Sequence, residues 1–173
     1  MVVAFAMTGG ASLASDRSFE ARILARHNAE RVAVGVPPLS WDVKLAEGAA
    51  IWARDLASTR RFEHSSDLAD AAPEGENLWM GTAGAYGFED MVDGWIEERR
   101  YYQPGLFPNI TTTTEWSDVG HYTQLIWSNT TRVGCAVATG GGNDVLVCRY
   151  SPAGNWDGES PTGGRTIPIR STR

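Results

Sequence analysis

At 173 residues the chain is long enough for one domain that buries about 70% of its unfolded surface. A formal net charge of −6 and a pI near 5.0 exclude the basic footprint that nucleic-acid binding needs. The 42% hydrophobic and 21% charged residues describe a globular chain, and no run approaches the roughly 20 apolar residues of a membrane span.

Residues 1–14 are apolar, then small, and end Ser12-Leu13-Ala14. That is the pattern of a signal peptide whose basic start is missing; the alternative is a floppy terminus. The spacing predicts a first helix over 18–34, with Phe19, Ile23, Leu24, His27 and Arg31 along one side and Gly35 as its stop. His27 and Asn28 read as a buried hydrogen-bonding pair that ties this helix to a neighbour. After the rigid link Val36-Pro37-Pro38-Leu39, Ser40 is the expected N-cap of a second helix over 40–57. Leu45, Ala49, Trp52 and Leu56 recur at helical spacing and form its core face.

Residues 60–73 are a polar loop carrying His64, and 75–80 enter a short strand in which Glu76 reads as solvated. A third helix is predicted over 88–102, with Met91, Val92, Trp95 and Ile96 as its stripe and Glu98 near the stripe's end. Residues 103–119 form a connection long enough to be functional. Tyr, Thr, Ile and Trp then predict a strand over 121–127. Alternation places His121, Thr123, Leu125 and Trp127 on one face, and Tyr122, Gln124 and Ile126 on the other. Thr and Gln among large apolar groups need partners, so His121 is expected at a polar site or at the strand's mouth.

A hairpin centred between Gly141 and Gly142, with strands over 134–138 and 145–150, sets Cys135 opposite Cys148. Directly opposed Cα atoms lie about 4.5 or 5.5 Å apart, within bridging range. A disulfide is expected, worth on the order of 3 kcal/mol and pointing to an oxidising compartment. Two free core thiols are the alternative. The tail, 158–173, is expected to wrap the surface or fray.

The stretch 120–130, GHYTQLIWSNT, resembles the first signature of the CAP superfamily (cysteine-rich secretory proteins, antigen 5 and pathogenesis-related proteins; the SCP domain). Residues 145–156, VLVCRYSPAGNW, resemble its second. His27-Asn28 with Arg31, 35–42 (GVPPLSWD), Leu45-Ala46, Trp52-Ala53 and Gly75-Glu76-Asn77-Leu78 extend the resemblance over 19–157. It implies an α+β fold, a three-layer α-β-α sandwich with a central, mainly antiparallel sheet, over a domain 18–157. It also implies secretion and a bond between Cys135 and Cys148. The family's additional disulfides and C-terminal modules are missing, which fits a minimal single-domain member of bacterial type.

CAP domains place two His and two Glu in a central cleft. Carried over position by position, these are His64, Glu76, Glu98 and His121. Two imidazoles can hold a divalent metal, zinc first, weakly and with pH sensitivity. Glu76 and Glu98 would orient the rings or serve as candidate general bases. A hydrogen-bonded polar cluster without metal is the other reading. The function implied is a secreted, monomeric binding module for an apolar small ligand of sterol or fatty-acid type, or for an extracellular protein. Tyr101, Tyr102, Phe107 and Trp116 are candidates for an apolar mouth, or else they cover the core. A metal-dependent, protease-like hydrolase is the second hypothesis, although the chain has no Gly-x-Ser-x-Gly and no His-Glu-x-x-His. A catalytically inactive structural module is the third. Asn109-Ile110-Thr111 and Asn129-Thr130-Thr131 are glycosylation sequons that have meaning only in a eukaryotic secretory pathway.

Overall fold

The sheet is built outward from the turn at Gly141 and Gly142, where both φ angles are positive, 60° and 87°. This two-residue turn matches the right-handed twist of the strands that it joins. It connects β3 (Arg132–Gly140) to β4 (Asn143–Ser151) and registers Cys135 opposite Cys148. The two cysteines are disulfide-bonded, with Cα atoms 4.1 Å apart. The computed structural model describes residues 10–66 and 73–164; residues 1–9 of the expected leader and 165–173 of the tail lie outside them.

β2 (Gly75–Thr82) pairs antiparallel with β4, and the short β1 (Ser40–Trp41) pairs parallel with β3. The order β1-β3-β4-β2 makes the sheet mainly antiparallel. Alternation along the strands sorts side chains to two helical layers. Val133 and Cys135 of β3 and Leu146, Cys148 and Tyr150 of β4 pack with α1 (Gly10–Ala33) and α3 (Phe88–Ile96), through Ile23, Met91, Val92 and Trp95. Val145 and Val147 face the other way, onto Ala49, Ala53 and Leu56 of α2 (Val43–Thr59). Glycines in β3 let α2 lie close: a Cβ at Gly134 or Gly140 would come 2.2 Å from Ala46 N or 2.4 Å from Ala57 O. The result is the three-layer α-β-α sandwich.

His27 and Asn28 do tie α1 to its neighbours. His27 Nδ1–H donates to Ile23 O and Nε2 accepts from the Tyr150 hydroxyl, both at 2.9 Å. The Asn28 amide pairs with Leu39 O and N at 3.0 and 2.7 Å. α1 begins eight residues earlier than the periodicity indicates. Ser40 is not a helix cap. It lies in β1, and Asp42 caps α2 by accepting from Lys44 N and Leu45 N at 2.9 and 3.2 Å. α3 ends at Ile96 and tightens into a 3-10 turn over Glu97–Tyr101.

The predicted strand over 121–127 is a helix. A 3-10 turn, Trp116–Val119, runs directly into α4 (Gly120–Leu125). Six successive residues, Tyr122 to Trp127, are buried. Propensity and periodicity do not separate a buried strand from a buried helix, and with no strand of the sheet paired to it among the described residues the segment satisfies its backbone within itself. Arg31 completes it. Its guanidinium donates to Leu125 O, Trp127 O and Thr130 O, each at 2.9 Å, and to Pro37 O at 2.7 Å. A helix end leaves carbonyls unpaired there and favours positive charge. Burial lowers the Arg31 pKa to about 10, which leaves it a cation at neutral pH.

The polar side chains of α4 find the partners they require. Thr123 donates to Asn155 Oδ1 at 2.7 Å, and Gln124 accepts from Gly154 N at 2.8 Å. The connection before α4 is also ordered: Phe107, Ile110, Val119 and Trp127 form a small core of their own. The described part of the tail packs on it, with Phe107 N donating to Glu159 O and Ser128 N to Pro161 O.

Candidate functional site

Where β2 begins, Glu76 and Asn77 point to opposite faces of the sheet. Glu76 faces the α2 layer, opposite Arg149 of β4. Its side chain is fully buried, contrary to the solvated Glu expected from the sequence, because Ser65 and Arg149 close over it. Glu76 Oε1 accepts from His64 Nδ1 at 2.8 Å and from Ser65 N at 3.1 Å. His64 itself follows α2 in the 60–66 loop.

The second pair comes from the opposite layer. His121, in the first turn of α4, donates from Nδ1 to Glu98 Oε1 at 2.6 Å, and Glu98 Oε2 accepts from Tyr122 N at 3.0 Å. The His121 ring stacks on Trp95, with centroids 6.2 Å apart and planes 16° from parallel. Behind it the Tyr122 hydroxyl donates to Glu30, which also accepts from Arg99. Burial pushes the Tyr122 hydroxyl pKa up. Asn77 links the pair to the interior by donating to His121 O at 3.0 Å and to the Tyr150 hydroxyl at 3.2 Å.

His64, Glu76 and His121 line one cleft of about 540 Å³, and Glu98 stands behind His121. Among the described residues no three His, Cys, Asp or Glu side chains are grouped to hold a metal ion. Each of the two imidazoles, His64 and His121, has its Nδ1 engaged by a carboxylate.

Of the four aromatic mouth candidates only Trp116 lines the cleft. Phe107 is buried under Trp116 at 5.1 Å, Tyr102 packs edge-on against Tyr122 at 5.5 Å, and Tyr101 is exposed elsewhere. The reason is the small core of Ile110, Val119 and Trp127, which takes up Phe107 and has Tyr102 packed against it. Trp156 was not foreseen. It lines the cleft together with Trp116 and is 47% exposed, matching 46% for Trp116. A signal existed in Gly154-Asn155. Asn155 has φ of 60°, a conformation Asn tolerates, and its amide donates to Gly120 O at 2.9 Å. That turn delivers Trp156 to the rim, where its indole N–H donates to Ala153 O.

Residues 24–150 match the model of the cysteine-rich secretory protein family, CAP. The chain belongs to the CAP family. It is similar to a PR-1 type pathogenesis-related protein of Sambucus nigra, 39% identical over 136 residues, 78% of this chain and 77% of that protein. Pathogenesis-related protein 1A of Nicotiana tabacum is 38% identical over 139 residues, 80% of this chain and 77% of that protein. In fold, this CAP domain resembles the crystal structure of NaASP2 with Zn2+, with a TM-score of 0.72 at 24% identity and 88% of each chain covered. Na-ASP-1 matches with a TM-score of 0.69 at 21% identity, over 87% of this chain but 42% of that one, so the chain spans less than half of that protein. Among the described residues no helix of this CAP protein is long and apolar enough to cross a membrane.

Proposed function

We propose that this CAP domain is a secreted, monomeric binding module whose cleft holds a divalent metal weakly, zinc first, through His64 and His121. The observation that carries the reading is the paired arrangement of the rings. Each Nδ1 is tied to a carboxylate, at 2.8 Å for His64 and 2.6 Å for His121. A carboxylate on one ring nitrogen fixes the tautomer and raises the basicity of the other, which is how protein zinc sites prepare their histidines. Two nitrogen donors leave the rest of the shell to water or ligand, so affinity is modest. A bound cation would supply a positive centre for a polar head group. Trp116, Trp156, Pro73 and Ala153 supply apolar wall for the rest of a small ligand of sterol or fatty-acid type, or for a side chain of an extracellular partner. The disulfide and the leader-like segment 1–14 support secretion.

A hydrolase has less support, because a general base needs an oxygen free to take a proton. Both oxygens of Glu98 are engaged, by His121 and by Tyr122 N; Glu76 holds His64 and Ser65 through Oε1, and its Oε2 is buried beside Arg149, away from water.

Zinc calorimetry at pH 7.5 on the native protein, His64→Ala and His121→Ala tests the proposal. Weak binding by the native protein and none by either variant is expected. Protons compete for the same nitrogens, so binding should also weaken at pH 5.5. Equal binding by native protein and His121→Ala would place the metal elsewhere.

A further inference from the structure

On the α2-facing side of β4, Val145 and Val147 are followed by Arg149, which is 7% exposed where an aliphatic residue would continue the pattern. A buried guanidinium is costly unless its partners are well placed. Arg149 Nη2 donates to Ser65 Oγ at 3.1 Å, Nη1 donates to Glu74 Oε2 at 3.4 Å, and Nε lies 3.8 Å from Glu76 Oε2. Ser65 adjoins His64, Glu74 begins the approach to β2, and Glu76 holds the His64 ring. One planar fork therefore reaches Ser65, Glu74 and Glu76 together.

Helix α2 makes room for it. A Cβ at Gly48 would lie 3.0 Å from Arg149 Nη1 and 3.5 Å from Cδ and Cζ. Glycine is less favourable than Ala inside a helix, so its presence here is accounted for by the space that the guanidinium fills. Among the described residues the His121 half has no such side-chain clamp: Glu98 is held by a backbone N–H and the ring by Trp95.

We infer that Arg149 is the positioning residue of the His64 half of the cleft, acting through Glu76, with Gly48 as the gap on α2 that admits it. This rests on the reading of His64 as a working group of the cleft, yet its first readout needs no metal. The chain has three histidines, so imidazole ¹⁵N–¹H spectra of the metal-free protein report His27, His64 and His121 separately. Native His64 should show the Nδ1–H tautomer that a carboxylate at Nδ1 selects. Arg149→Met should turn His64 into a mixture of tautomers while His27 and His121 keep their native signals. Arg149→Lys keeps the charge, but a single ammonium cannot reproduce the fork, so the same change should follow to a smaller extent.

A folded Arg149→Met with native His64 signals overturns the assignment. If Arg149→Met fails to fold, as loss of the His27 signals would reveal, Arg149→Lys decides by the same criterion. Zinc affinity of Arg149→Met should fall roughly tenfold, the size expected when the partner of a metal-binding His is disturbed. If the native protein binds no zinc, the metal proposal fails, and the tautomer measurement still decides the role of Arg149.

Discussion

His64 and His121 carry the same chemistry on differently built supports. The His64 side chain is 58% exposed and His121 is 34% exposed. His121 sits on a buried helix, its ring against Trp95 and its carboxylate fixed by the backbone of Tyr122. His64 sits on a loop, and its carboxylate is fixed by a neighbouring backbone N–H and a buried arginine. Both carboxylates accept from main chain, but one half of the cleft adds core packing and the other adds side-chain charge. The difference implies that the His121 half fails only when the fold fails, while the His64 half can be loosened with the fold intact.

The largest effect should come from removing the support of α4. Arg31→Met leaves four carbonyl contacts without their donor inside the core. Buried carbonyls without a partner cost about 1–3 kcal/mol each, and relaxation recovers part of it. A loss on the order of 4 kcal/mol is expected in urea unfolding, with the His121 signals disappearing together with the global transition. If His121 detached at low urea while the sheet stayed folded, the two halves would be equally autonomous and the contrast would break.

Arg31 also marks where the sequence stops being legible. The Cys135–Cys148 register follows from two glycines and counting, and the α3 stripe follows from spacing alone. Both are local patterns. The helical state of 120–125 depends on a guanidinium 94 residues earlier in the chain that collects its carbonyls, and propensity cannot see that contact. Glu76 was read as solvated because the Arg149 that covers it lies 73 positions on. The candidate site residues came from family resemblance, not from periodicity. The place of Trp156 at the cleft is set by one left-handed residue, Asn155, which no periodicity reveals.

Next in size is a pH effect that reports the interior behind His121. Burial lowers the His27 pKa to about 4, with Arg31 and Arg26 adding to it. The imidazole is neutral in the fold, while the unfolded chain takes up a proton near the ordinary value of about 6.5. The unfolded state therefore binds more protons between these values. The stabilisation is fully present above about 6.5 and is lost as pH falls toward 4. The loss is on the order of 3 kcal/mol if no other group titrates. Urea midpoints at pH 7.5 and 4.5, native against His27→Gln, isolate this contribution. Parallel pH curves for the two would show that His27 does not carry it.

The smallest expected effect separates the two halves most sharply. Glu98→Gln and Glu76→Gln each keep an oxygen for the ring Nδ1–H and remove the charge. If both carboxylates orient their imidazoles, zinc affinity should weaken by a similar factor in each, roughly tenfold. Stability should not follow in parallel. Glu98→Gln keeps one oxygen for two N–H donors, so one of them loses its acceptor, but it uncovers no buried cation, and a loss of about 1 kcal/mol is expected. Glu76→Gln takes a charge away from Arg149, which keeps Glu74 at 3.4 Å as a carboxylate partner among the described residues. Removing one partner of a buried pair costs about 3–5 kcal/mol when nothing replaces it, and Glu74 should reduce that to about 2 kcal/mol. The double variant Glu76→Gln/Arg149→Met should recover part of this loss, because the unpaired charge is gone, while zinc affinity stays low. Equal stability losses in the two single variants would mean that charge does not hold the His64 half, and the division between a core-packed and a charge-held imidazole would fall.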